Sequence, residues 1–251
     1  MSAELRTEDV TKAFGGVHAL DGCTLTAPAG QITGLIGPNG SGKTTLFNVM
    51  TGYERIDSGH VYLGGQQITG ATPGRVYGLG VGRTFQLTRV FPRLTVLENM
   101  LVPAQRGGSG RELRQRALEL LAFTGIADHA YALAGTLSYG QRKLLELAYV
   151  LVADPAVVLL DEPAGGVNPT LIKHIAARIR ELNRQGRTFL IVEHNMEFVM
   201  GLCHQVTVLD SGSVVASGPP DEIRANPRVL DAYLGTDTDS DDGDDVAGGR
   251  R

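Results

Sequence analysis

The chain is predicted to fold as an α/β protein with a mainly parallel core sheet, an added antiparallel β layer and a helical subdomain. Three observations predict it. Val157-Val158-Leu159-Leu160 and Phe189-Leu190-Ile191-Val192 are unbroken apolar runs, the pattern of parallel strands covered on both faces, and residues 32–36 look like another core strand. Helical patterns alternate with these strands. Residues 111–123 carry Leu113, Ala117, Leu120 and Leu121 on one face with charges opposite, an amphipathic helix. Asn168 followed by Pro169 is an N-cap with proline at the first helical position, opening a helix towards Asn183. Helical signals crowd residues 87–152, so that stretch is expected to interrupt the sheet-forming halves as a subdomain, with Gly107-Gly108-Ser109-Gly110 as a flexible connector. Strand-forming residues before Gly30 supply the antiparallel layer.

Composition narrows the function classes. The formal net charge of −4 sits in residues 236–251, which hold six aspartates and two arginines; the remainder is neutral. A neutral body offers no electrostatic case for nucleic acid, and the acidic stretch has too little apolar surface to fold, so it reads as a disordered tail after a domain spanning residues 1–235. No apolar run approaches the roughly 20 residues that cross a bilayer, and Met1-Ser2-Ala3-Glu4 lacks the basic and apolar parts of a secretion signal; a cytoplasmic chain is expected. Cys23 and Cys203 have no metal-ligand spacing and read as small buried hydrophobes.

Chemistry concentrates in four places. Gly37-Pro38-Asn39-Gly40-Ser41-Gly42-Lys43-Thr44, followed by Thr45, lies between a strand and a helix and fits the phosphate-binding loop of ATP-type nucleotides. Its glycines let the backbone wrap phosphates, its N–H groups point inward at a helix start, Lys43 reaches the β- and γ-phosphates, and Thr44 offers a hydroxyl to Mg²⁺. The strand at Val157 delivers Asp161 and Glu162 at its carboxyl end, where open α/β sheets place ligands. Asp161 suits Mg²⁺, and Glu162 suits the orientation or deprotonation of an attacking water. A third strand ends at Glu193-His194, so His194 is expected to face the γ-phosphate. Finally, Leu137-Ser138-Tyr139-Gly140-Gln141 opens a helix with Ser138 as N-cap and an anion-binding set of N–H groups behind it.

These elements, in this order and spacing, resemble the ATP-binding cassette (ABC) family over about residues 5–235. The resemblance implies a P-loop ATPase that hydrolyses ATP, with Gln86 contacting Mg²⁺ and the water, and with Lys43, Gln86, Glu162 and His194 in catalysis. Phe14 matches the aromatic that stacks on adenine, although a core aromatic on an early strand would look the same. The family also implies that Ser138, Gly140 and Gln141 meet ATP held by the opposite subunit, in a pair of like or unlike cassettes arranged head to tail. A separate transmembrane permease would dock a short helix on residues 89–97, Arg89 and Phe91 included, and hold the subunit at the inner face of the plasma membrane.

Arg83-Thr84-Phe85-Gln86, Leu94-Thr95-Val96-Leu97-Glu98-Asn99, Leu137-Ser138-Tyr139-Gly140-Gln141 and the closing Val192-Glu193-His194-Asn195-Met196 and Tyr233-Leu234-Gly235 are similar to the ATP-binding subunits of branched-chain amino acid importers. Urea and amide importers share much of this pattern, and lipopolysaccharide-export ATPases less of it. A soluble ABC ATPase of the iron–sulfur assembly type is the alternative. Small GTPases are excluded by the missing Asn-Lys-x-Asp motif. Tyr139 stands where the commonest signature has glycine, Asn168 where the family usually has aspartate, and Gly165-Gly166 is expected to make the intervening loop flexible.

Overall fold

The computed structural model describes residues 2–84, 90–102 and 110–229; Gln86, Arg89, most of the glycine-rich connector and the acidic tail lie outside them. The strands are β1 (Leu5–Phe14), β2 (Val17–Ala27), β3 (Ile32–Ile36), β4 (Ser58–Leu63), β5 (Gln66–Gln67), β6 (Val81–Arg83), β7 (Val157–Asp161), β8 (Thr188–Val192), β9 (Gln205–Asp210) and β10 (Ser213–Gly218). The helices are α1 (Lys43–Met50), α2 (Pro73–Gly78), α3 (Val96–Leu101), α4 (Gly110–Thr124), α5 (Tyr139–Leu151), α6 (Pro169–Arg184), α7 (Met196–Leu202) and α8 (Pro220–Arg224), with short 3₁₀ turns at Ala127–His129 and Ala134–Thr136.

Two sheets form. The larger has the order β10-β9-β3-β8-β7-β6, parallel from β9 to β6 with β10 antiparallel at its edge. The smaller, β2-β1-β4-β5, is antiparallel throughout. The predicted parallel core and antiparallel layer are both present.

The parallel strands are buried on both faces, and period-two alternation divides their side chains between two cores. Ile32, Ile36, Val158, Leu160, Phe189 and Ile191 join the core built with α4 to α7. Leu35, Val157, Leu159, Leu190 and Val192 point the other way, into the core shared with α1 and the antiparallel sheet. The helix at residues 110–124 buries Ala117 and Leu121 as the sequence pattern required. That at 169–184 starts on Asn168, whose side chain accepts from the Leu171 N–H.

Register decides where the chemistry lies. Leu35 pairs with Val192, and Val192 with Asp161, so β3, β8 and β7 end at one level. The residues that leave those ends, Gly37, Glu162 and Glu193, therefore emerge side by side at the carboxyl edge of the sheet, the expected ligand edge of such a fold.

Candidate active site

The phosphate loop fits tightly against main chain behind it. A Cβ on Gly37 (φ 153°) would lie 2.0 Å from the Leu209 carbonyl oxygen, and one on Gly42 (φ 104°) 2.3 Å from that of Ala19. Glycine is therefore required for the loop to close on β9 and β2, apart from any role towards phosphate. Asn39 and Gly40 are exposed at its tip, and Ser41 N–H donates to the Pro38 carbonyl at 3.2 Å. Lys43 is buried and folds back over the loop, Nζ donating to the carbonyls of Gly37 and Pro38 at 2.8 Å each, with Ser41 Oγ at 3.5 Å. Burial lowers its pKa, and the carboxylates of Glu162 and Asp161 oppose that shift. The amino end of α1 has no side-chain cap and no acidic residue in its first turn. An uncapped helix start beside a lysine is suited to an anion such as a phosphate. Thr44 is exposed and Thr45 half-buried at the same turn.

Asp161 ends β7 in a buried position. Its amide donates to Thr84 Oγ1 at 3.0 Å, and its carboxylate lies 3.5 Å from an Arg83 guanidinium nitrogen. Arg83 also donates to Asn48 Oδ1 (2.7 Å) and Thr51 Oγ1 (3.0 Å) on and just after α1. Burial raises the Asp161 pKa, Arg83 pulls it back, and the neighbouring Glu162 charge adds to the rise. Glu162 adopts a left-handed backbone (φ 49°), a conformation that costs a non-glycine residue about 1–3 kcal/mol. It is held there by its N–H on the Val192 carbonyl (2.9 Å) and by its own carbonyl, which accepts from Gly165 N–H (3.1 Å) and Lys143 Nζ (3.0 Å). That turn brings Glu162 Oε1 within 3.3 Å of His194 Nε2 while leaving both side chains open to solvent. An acid and an imidazole at this distance can orient a water and pass its proton.

Glu193 is 2% exposed, and its carboxylate accepts from the backbone N–H groups of Ala164, His194 (3.0 Å) and Asn195 (3.2 Å). Burial raises its pKa against the pull of those three donors. Sequence reading noted Glu193 only as the neighbour of His194, and gave no part to Arg83 or Lys143. The signal was there in each case: a charge set against an apolar strand or on the apolar face of a helix.

The turn at Ser138 forms a full capping box. Ser138 Oγ accepts from Gln141 N–H at 3.3 Å, and Gln141 Oε1 accepts from Ser138 N–H at 2.8 Å. Because that oxygen is engaged, the Gln141 amide nitrogen is the donor to His129 Nε2, 2.8 Å away. Gln141, expected among the nucleotide contacts, thus has its side chain committed within its own chain. Ser138 and Gly140 line an open cleft of about 840 Å³ whose walls include neither the phosphate loop nor Asp161, Glu162 or His194. Tyr139 donates to the Gly165 carbonyl at 3.2 Å, and its ring lies against Gly166. The Gly165-Gly166 stretch, expected to be flexible, thus carries a carbonyl bonded by a side chain of α5.

Phe14 is 51% exposed, with Lys12 Nζ 4.9 Å from its ring centroid; it is not a core aromatic. Cys23 and Cys203 are buried and free, and burial pushes both thiols up to about 12. Among the described residues no three acidic, histidine or cysteine side chains gather as a self-sufficient metal site.

Comparison with known proteins gives this geometry its context. Residues 20–165 match the ABC transporter family, and residues 213–239 the branched-chain amino acid ATP-binding cassette transporter family. The chain is 39% identical over 245 residues to the probable branched-chain amino acid transport ATP-binding protein LivG of Archaeoglobus fulgidus, covering 92% of this chain and 95% of that one. It is 38% identical over 240 residues to the high-affinity branched-chain amino acid transport ATP-binding protein LivG of Escherichia coli (88% and 94% covered). Among solved structures it superposes on an ABC transporter cassette in its ADP conformation with a TM-score of 0.85 and 35% identity, covering 94% of this chain and all of that one. A cassette solved as a dimer in a post-hydrolysis state with ADP and Pi aligns with a TM-score of 0.79 and 27% identity (86% and 98% covered). With a phosphate loop, paired strand-end carboxylates and signature turn in one fold, the chain belongs to the ABC transporter family as an ATP-binding, ATP-hydrolysing subunit.

Proposed function

We propose that this subunit closes head to tail on a second cassette, hydrolyses ATP with Glu162 and His194, and drives import of a branched-chain amino acid or a related small solute through a separate permease. The observation that carries the reading is the separation within one chain: the cleft at Ser138 and Gly140 shares no residue with the Lys43, Glu162 and His194 group. Two half-sites that line no common cleft within one chain would be completed by a second subunit, an arrangement in keeping with the dimeric structural relative. In it, Lys43 and the N–H groups of α1 bind the β- and γ-phosphates, Phe14 stacks on adenine, and Glu162 takes the proton of the attacking water while His194 orients it. Thr44 and Asp161 are the residues that would hold Mg²⁺, with Gln86 as an expected third; one or two protein oxygens suffice when substrate phosphates supply the others. Magnesium, when bound, neutralises charge on the transferring phosphate. The opposite chain's Ser138 and the N–H groups behind it meet the same γ-phosphate.

Closure driven by nucleotide requires that ATP bind the closed pair more tightly than the open one. The permease surface is read at residues 89–97, of which 90–97 are described. Phe91 is 49% exposed there, on a loop fixed by the buried Asn99, which bonds both the N–H and the carbonyl of Phe91; Leu133, equally exposed, lies on the neighbouring segment bridged to Thr95. Among the described residues no helix is long and apolar enough to cross a membrane; in this reading a separate permease supplies the pathway, and the chain works at the membrane's inner face. The relatives' names and the match over residues 213–239 support the cargo class.

The test is recovery of the Glu162→Gln chain with Mg²⁺ and ATP from detergent-solubilised membranes of its own organism. The expected result is a nucleotide-bound cassette pair attached to a multi-spanning protein. Wild-type turnover by this variant, or soluble partners alone, overturns the proposal.

A further inference from the structure

Two peptide segments carry the reacting side chains, the turn after β7 with Glu162 and the turn after β8 with His194, and one buried side chain joins them. Glu193 Oε1 accepts from the N–H of Ala164, two residues beyond Glu162, while Oε2 accepts from the N–H groups of His194 and Asn195. Three N–H donors converge on two oxygens that can both accept; an amide in its place would turn an N–H₂ group towards one of those donors. Buried carboxylates are retained when hydrogen bonded in this way. A second cross-link, Glu162 N–H to the Val192 carbonyl at 2.9 Å, joins the same turns at the strand level, before the side chains of Glu162 and His194 leave it. The Glu193 bonds fix them further out, at the level of the Glu162–His194 contact of 3.3 Å. Asn195 in turn caps α7 through the Phe198 N–H, so the anchor extends from the catalytic turn into the helix behind it.

We propose that Glu193 is a positioning residue for ATP hydrolysis: its carboxylate sets the separation of Glu162 and His194 by pinning Ala164 to His194 and Asn195. Glu193 is beneath the surface, and it acts through the two residues it places. The inference rests on the reading of Glu162 as base and His194 as its partner.

The experiment compares full-length Glu193→Gln, Glu193→Asp and Glu162→Gln chains for kcat, KM for ATP, binding of a fluorescent ATP analogue and melting temperature. For Glu193→Gln the expected result is kcat lower by about ten- to hundredfold, since misplacement of reacting groups by about 1 Å has that effect, with KM and analogue affinity within about twofold. Glu193→Asp keeps the charge with a shorter reach and should fall between Glu193→Gln and wild type in kcat, again with KM unchanged. In a His194→Ala background Glu193→Gln should cost less than about threefold, because the geometry it protects is already lost. Wild-type kcat in Glu193→Gln, an equal loss of affinity and kcat, or a full second loss in the His194→Ala background overturns the proposal. If Glu193→Gln does not fold, Glu193→Asp decides alone: wild-type kcat, or affinity lost with it, overturns the assignment. Glu162→Gln is the separate control, since wild-type turnover there removes the underlying base assignment whatever Glu193 does.

Discussion

Two helix starts in this molecule face solvent near its motifs, and they are finished in opposite ways. α1 begins at Gly42 with no side-chain cap and no acid in the first turn, and its lysine is folded over the loop in front. α5 begins with a complete capping box in which Ser138 and Gln141 satisfy each other, and His129 receives a hydrogen of the Gln141 side-chain amide. The first end keeps its donors and a cation ready for an anion, so it should bind nucleotide without help. The second has met most of its own needs, offering a hydroxyl and the first N–H groups of a helix to an open cleft. It adds to a phosphate already held elsewhere, and on its own it should hold nucleotide poorly. The difference teaches that affinity and hydrolysis are expected to separate: one chain binds, two chains turn over.

That separation can be broken most severely by paired variants. Lys43→Ala should remove both ATP binding and turnover, lowering phosphate release by at least about a hundredfold. Ser138→Asp keeps a good cap but sets a negative charge before the γ-phosphate; it should leave ATP binding by the single chain intact and remove turnover. Mixed in equal amounts, the two variants should recover on the order of a quarter of wild-type turnover, because half of the pairs are mixed and each has one sound site. No recovery would mean that the two helix starts do not serve one nucleotide. A smaller effect is expected at the base-binding end. Phe14→Ala should weaken ATP binding about 5- to 150-fold, the equivalent of about 1–3 kcal/mol of stacking, with kcat little changed in a direct titration and turnover assay. The smallest concerns Tyr139→Phe, which removes one exposed hydrogen bond of 3.2 Å. It should alter stability by less than about 1 kcal/mol, read in denaturant unfolding, and shift turnover at most a few-fold.

The parts legible in the sequence share a physical cause. Strands buried on both faces have no polar alternation to misread, so β7 and β8 were visible as apolar runs, and their ends located Asp161, Glu162 and His194. The phosphate loop was legible because its backbone admits almost no other residues. β1 was harder: its pairing slips between Thr7 and Val10 and again beyond Val10, with Asp9 in a left-handed turn. A slip of one residue exchanges inside for outside, so alternation along the strand does not tell whether Phe14 is core or surface. Arg83, Lys143 and Glu193 were missed for a different reason. A charged residue on an apolar face reads as an interruption until the partners that satisfy it, distant in the chain, are brought alongside. The same holds for Gln141, whose partner His129 lies twelve residues away across a 3₁₀ turn.

Lys143 and Tyr139 have a consequence for the assembled pair. Both sit on α5, and both grip the stretch that follows β7, Lys143 at the carbonyl of Glu162 and Tyr139 at that of Gly165. In the proposed pair, the start of α5 touches nucleotide belonging to the other subunit. Any displacement of α5 on loss of that contact is thus transmitted to the backbone of this chain's own general base. Linkage makes such an effect reciprocal for binding: if one nucleotide biases the turn at Glu162, the setting of that turn biases the affinity for the other nucleotide by the same factor. Two sites joined by a lysine and a tyrosine are then expected to be coupled, with a Hill coefficient for ATP that departs from one.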